Sequence, residues 1–109
     1  MNVKAVCDYL EKLAPLAYAE SFDNVGLLVG DNKMEVSGVL ITLDALENVI
    51  DEAIAKKCNL IVSFHPIIFS GLKKITGRNY VERVVLKAIK NDIAIYSMHT
   101  ALDLSLIHI

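Results

Sequence analysis

Leu60-Ile61-Val62-Ser63-Phe64-His65-Pro66 decides how this chain of 109 residues is organised. Leu60, Ile61 and Val62 are apolar without alternation, the pattern of a strand covered on both faces. The chain then turns at once into a proline-bearing segment. Strands of that kind belong to parallel sheets, and helical patterns stand on either side of this one. Upstream, Leu46, Val49, Ile50, Ala53 and Ile54 lie along one helical stripe. Downstream, Val81, Val84, Val85, Ala88 and Ile89 form a second. Outside them lie two further apolar runs, Val39-Leu40-Ile41-Thr42 and Ile93-Ala94-Ile95-Tyr96. The first, rich in β-branched residues, is expected to be buried on both faces. The order β-α-β-α-β predicts an α/β fold with a mostly parallel sheet and right-handed crossovers.

The remaining elements add to that frame. Val3, Cys7, Leu10 and Leu13 recur at helical spacing ahead of Pro15, which predicts an N-terminal helix over Val3–Leu13. Gly26-Leu27-Leu28-Val29 reads as a short strand closed by the turn Gly30-Asp31-Asn32. Asp44 is placed to cap the helix that follows it. Residues 64–79 form a connection long enough to suggest a working loop.

Composition bounds the function. Apolar residues make up 54% and charged residues 22%, which is a packed chain and not a disordered one. A formal charge of −2 offers no bulk attraction to nucleic acid or to an anionic membrane. No apolar run approaches a bilayer span, and Met1-Asn2-Val3-Lys4 does not open a signal peptide. Cys7 and Cys58 read as reduced thiols serving as small core hydrophobes in a cytoplasmic protein. Lys73, Lys74, Arg78 and Arg83 gather around the long loop; without a glycine-rich phosphate cradle they read as a solvated surface.

Chemistry concentrates where strands end. His65 follows one strand, His99 to Asp103 follow another, and Asp44 follows a third. In a parallel sheet these exits share one rim, the side on which ligands bind. His and Asp are apt ligands for a divalent metal. A lone His is more often a loop residue bonded to backbone, and a lone Asp a turn or cap residue. Three strand exits on one rim favour the metal reading. Ser63, His65 and Asp103 could be drawn as a nucleophilic triad, but nothing marks Ser63 as an exposed elbow.

Four blocks carry a resemblance. Ser21-Phe22-Asp23-Asn24-Val25-Gly26-Leu27, Ile41-Thr42-Leu43-Asp44, Ser63-Phe64-His65-Pro66-Ile67-Ile68-Phe69 and His99-Thr100-Ala101-Leu102-Asp103 stand in family-like order and spacing. They resemble the N-terminal part of the dinuclear-metal-centre hexameric family, the Nif-three-like proteins often named GTP cyclohydrolase 1 type 2 homologs. The resemblance implies a ring-shaped homohexamer and a pair of divalent metals held by two adjacent histidines and an aspartate. A His and a Glu near the family's C-terminus complete that site. Carried over, His65 matches the second histidine and Asp103 the aspartate, while Phe64 stands at the first histidine and cannot ligate. His99 orients Asp103 or a metal-bound water, or simply holds the turn; a direct ligand role ranks lower. The resemblance makes residues 1–103 an N-terminal α/β metal-site domain of a larger fold. Residues 104–109, His108 among them, form an atypical tail of the kind a truncated reading frame would leave.

Two functions follow as expectations. The first is a metal-dependent hydrolase using zinc, iron or manganese to activate water for a small-molecule substrate, with His65 and Asp103 as ligands and His99 and Asp44 tuning or orienting the site. The second is a non-catalytic ring-forming or regulatory protein with a structural or vestigial metal, which Phe64 favours. Self-association is expected, and nucleic acid is not the expected partner. Affinity for random duplex DNA should therefore be weak and lost by physiological salt, because few phosphates would be neutralised. A salt-resistant submicromolar complex in a fluorescence anisotropy titration would overturn the hydrolase-first ordering.

Overall fold

The computed structural model describes residues 1–15, 24–68 and 71–98. Helix α1 (Val3–Leu13) starts where Asn2 accepts a hydrogen bond from the Ala5 N–H at 2.9 Å. It stops at Ala14, whose backbone has left the helical region (φ −138°, ψ 84°), as expected of a residue before proline. Then come β1 (Gly26–Val29), β2 (Val39–Thr42), α2 (Glu47–Ala55), β3 (Leu60–Ser63), α3 (Tyr80–Lys90) and β4 (Ala94–Ser97). The predicted elements are all present, with β4 displaced by one residue. Asn79 caps α3 by accepting from the Glu82 N–H at 3.0 Å. Among the described residues, no helix is long and apolar enough to cross a membrane.

Four strands form one sheet in the order β1-β4-β3-β2. β2, β3 and β4 run parallel, joined through α2 and α3, and β1 lies antiparallel against β4. Alternate residues point to opposite faces. Ile61 and Ile95 enter the core with Ile50, Ala53, Val84, Val85 and Ala88 of α2 and α3. Leu60, Val62, Ala94 and Tyr96 meet Val3, Val6, Cys7 and Leu10 of α1. Burying an aliphatic side chain such as Ile50 or Ile61 contributes about 1.5–3 kcal/mol. Burial also pushes the Cys7 thiol upward and the Tyr96 phenol to about 12, the latter reinforced by the nearby Cys7 and Glu11.

Two expectations are corrected here. β2 is not buried on both faces: it is an edge strand, and Ile41 is 80% exposed. β3 supplies neighbours on one side of it only, and α1 covers the sheet from β1 to β3 without reaching Ile41. Asp44 does not cap α2. Leu46 occupies that position with no side-chain bond to the helix, because Asp44 lies two residues too early and turns toward His65.

The long connection before α3 is closed by a carboxylate. Glu82, 1% exposed, accepts from the Thr76 N–H (3.1 Å), the Thr76 hydroxyl (3.2 Å) and the Arg78 N–H (3.2 Å). The Arg78 guanidinium also reaches it, at 3.0 Å from Nη2. Arg83 pairs with Glu47 (2.7 Å), and Lys87 pairs with Asp51, so α3 is tied to α2 at two successive turns. Arg78 and Arg83 thus hold the fold together at this surface.

Two outcomes are expected. Arg78, then the Thr76 and Arg78 amides, hold Glu82 at about 2, below its ordinary 4.5. A carboxylate with a lowered folded-state value stabilises the fold fully above the ordinary range and loses that contribution as pH falls from 4.5 toward 2. Glu82→Gln should lower the melting temperature near neutral pH by several degrees and flatten its decline below pH 4.5, as read by circular dichroism. Gly30 has φ +114°, and a Cβ there would lie 2.6 Å from the Ala94 Cβ. Gly30→Ala should destabilise the chain by about 2 kcal/mol or more in urea unfolding.

Candidate metal centre at the strand exits

The register of the sheet brings together the described parts of three motif blocks. Thr42 pairs with Ser63, Ser63 with Ser97, and Ser97 with Gly26 across the antiparallel edge. Three strands therefore leave the sheet at one rim, and β1 enters at the same rim. Asp44 and His65 each stand two residues past a paired position, and so come out level. Met98 donates its N–H to the Ser63 carbonyl at 3.1 Å, so the chain leaves β4 beside the exit of β3 on its way to position 99. Asn24 approaches from the other side, its side-chain amide donating to the Ile68 carbonyl at 2.6 Å. Asn24 belongs to the first motif block, and its contact spans 44 positions, which no local pattern reveals.

Backbone and buried hydroxyls hold the turn that carries His65. The Phe64 N–H donates to the Thr42 carbonyl (3.1 Å) and the His65 N–H to the Leu43 carbonyl (3.0 Å), extending the β2–β3 ladder past its last residues. Ser63 is buried, and its hydroxyl donates to the His65 carbonyl at 2.9 Å. Ser97, also buried, donates to the Phe64 carbonyl at 3.2 Å. These bonds also answer the triad: Ser63 Oγ is a buried clamp on backbone and not an exposed nucleophile. The Thr42 hydroxyl donates to the Asp44 carbonyl at 3.1 Å and steadies the adjoining turn.

On this frame Asp44 Oδ1 and His65 Nδ1 stand 2.6 Å apart, both side chains about half exposed. They line a cleft of about 70 Å³ together with Leu46, Pro66, Ile67 and Tyr80. The Phe64 ring meets the His65 ring edge-on, with centroids 5.1 Å apart. The structure thus brings Asp44 to His65, at the rim where an orienting role for Asp44 is expected. His99 and Asp103 lie outside the described residues. Among the described residues, no group of three His, Cys, Asp or Glu side chains is arranged to hold a metal. His65 suits a divalent metal as a borderline nitrogen donor on a fixed turn, whereas Phe64 brings no donor.

Residues 1–106 match the family described as Duf34/NIF3 (NGG1p interacting factor 3). A GTP cyclohydrolase 1 type 2 homolog of Clostridium acetobutylicum is 45% identical over 103 residues, covering 94% of this chain and 38% of that protein. The human NIF3-like protein 1 is 44% identical, with 94% and 28% covered. The crystal structure of a Staphylococcus aureus hypothetical protein superposes with a TM-score of 0.91 at 43% identity, covering 94% of this chain and 29% of that one. The chain thus spans well under half the length of these relatives. Motif order, strand register and match extend over nearly every residue, and the chain belongs to the Duf34/NIF3 family.

Proposed function

We propose that this chain provides one wall of a divalent-metal site in a metal-dependent hydrolase acting on a small molecule. The observation that carries the reading is the meeting of Asn24, Asp44 and His65, from three motif blocks, at one rim, where His65 is held by the Leu43 carbonyl and by the Ser63 hydroxyl. The names of the relatives support a hydrolytic activity on a small molecule, and the ring-shaped hexamer and cytoplasmic setting come with the family resemblance.

His65 and Asp103 would hold the metal, one of zinc, iron or manganese. Such a metal, when bound, polarises a substrate oxygen and lowers the pKa of a bound water to about 7. The chain's own residues do the rest. His65 presents a ring nitrogen from a turn that four strand-end hydrogen bonds keep in place. Pro66 and Ile67 wall the adjoining cleft on its apolar side, and Tyr80 stands at the start of α3 beside it. On the resemblance, His99 would orient Asp103 or a metal-bound water. A second reading, a non-catalytic ring former with a vestigial site, is favoured by one observation: the side chain next to His65 is an edge-on phenyl ring and brings no donor.

Calorimetric titration with zinc, manganese and anaerobic iron(II) tests both readings. The parent chain should bind weakly, since two protein ligands are fewer than the three typical of catalytic zinc sites. His65→Ala should abolish binding, His99→Ala should weaken it by about 10–100-fold, and Phe64→His should strengthen it. If His65→Ala binds as the parent does, the site assignment is wrong. If Phe64→His adds nothing, the vestigial reading takes precedence.

A further inference from the structure

We propose that the outer edge of β2 docks a second copy of this chain, strand against strand and antiparallel, about a two-fold axis at Leu40. The inference rests on the sheet edge and is independent of the metal reading above. β2 ends the strand order β1-β4-β3-β2, so among the described residues no strand pairs with its outer side. The Gly38 and Thr42 carbonyls accept from the Leu60 and Phe64 N–H groups. Backbone direction alternates along a strand, so the N–H and C=O groups of Val39 and Ile41 point away from β3. Their side chains stand on the α1 side of the sheet, level with Leu60 and Val62, yet α1 does not cover them. Val39 is 42% exposed, Ile41 80% and Leu43, just past the strand, 61%.

The two edges of the sheet differ in how they are guarded. Bulges, charges and prolines are the usual devices that keep an edge from pairing. The β1 edge carries an irregularity in its register between Leu27 and Val29. β2 has no such device: Gly38-Val39-Leu40-Ile41-Thr42-Leu43 holds no charge and no proline, and its pairing with β3 is regular throughout. An uncharged edge is its own complement, because a two-fold contact sets the same surface on both partners and here opposes no like charges. Leu43 decides the register. Its carbonyl turns inward to the His65 N–H at 3.0 Å, which leaves Val39 and Ile41 as the residues to pair. Val39 opposite the second copy's Ile41 lets each such pair exchange both N–H···O=C bonds and puts Leu40 on the axis. On the α1 side, the Val39 and Ile41 side chains of both copies then meet as β-branched cross-strand pairs. The row is short, below the roughly 800 Å² per partner of a standard interface, so the dimer is weak, with a dissociation constant in roughly the micromolar range.

The test uses the 109-residue chain from roughly 5 to 500 µM, a range that brackets such a constant. Sedimentation velocity should show a monomer–dimer equilibrium in the parent. Ile41→Lys puts a charge on an already exposed edge position and should weaken the dimer about tenfold or more. Leu13→Lys adds the same charge at another exposed apolar position, on α1, and should leave the dimer unchanged. Amide hydrogen exchange by NMR reads the pairing in the parent without any substitution. The Val39 and Ile41 amides should slow as concentration rises, whereas the Leu40 amide, which faces β3, should not. A monomer throughout the range overturns the proposal, as does a dimer that Ile41→Lys leaves intact. Equal weakening by Leu13→Lys overturns the assignment to β2. A dimer without concentration-dependent protection at Val39 and Ile41 overturns the strand pairing. Each of these results is read without metal, so it stands apart from the outcome at His65.

Discussion

The in-register parallel pairing of β2, β3 and β4 is the constraint on which the rest depends. Because Thr42, Ser63 and Ser97 lie level across the sheet, the residues just beyond them emerge level as well. A slip of one residue between β2 and β3 would turn every β3 side chain to the opposite face. Leu60 and Val62 would then leave the α1 side, Ile61 would leave the α2–α3 side, and Asp44 and His65 would no longer meet. The core and the site are therefore specified by the same register. Packing enforces it: Ile61 and Ile95 must sit among the aliphatic residues of α2 and α3 while Leu60, Val62 and Ala94 face α1.

Polar groups inside the fold are few, and each of those discussed has a structural task. Ser63 and Ser97 sit at the last residues of β3 and β4, where the ladder ends and carbonyls of the next turn would otherwise lose partners. Their hydroxyls supply the missing donors, which offsets the cost of burying a hydroxyl. Glu82 does the same for the segment entering α3, with the Thr76 and Arg78 amides converging on one carboxylate oxygen. Of the positive charge around this loop, Arg78 is directed to Glu82 and Arg83 across to Glu47. That arrangement gives Arg78 and Arg83 structural partners without invoking an anionic ligand.

The pair at the rim differs from these clamps because it is open to solvent. Asp44 and His65 are about half exposed, so screening by water and salt limits what their contact adds to stability. Its consequence is orientation. The Asp44 carboxylate lies 2.6 Å from the ring nitrogen and restrains the ring on that side. The edge-on Phe64 ring limits the ring from another side. Among the described contacts, ladder bonds, buried hydroxyls and one carboxylate contribute to local order at His65.

Periodicity alone located the elements, because unbroken apolar runs and helical stripes are local properties of the chain and reflect which faces must leave water. It also located His65 and Asp44 at strand exits, and the motif blocks announced the family. Helix α1 begins at Asn2 and ends before Pro15 for reasons contained in those residues themselves. Tertiary structure decided what depends on neighbours distant in sequence. β2 has the apolar composition of a central strand, yet its place at the end of the order β1-β4-β3-β2 leaves Ile41 open. Asp44 has the composition of a helix cap, yet a partner 21 positions away claims its carboxylate. Asn24 closes onto Ile68 across 44 positions. Sequence pattern reports the burial that a segment needs; which strand stands at the edge, and which carboxylate meets which imidazole, is fixed only when the register brings distant strand ends to one rim.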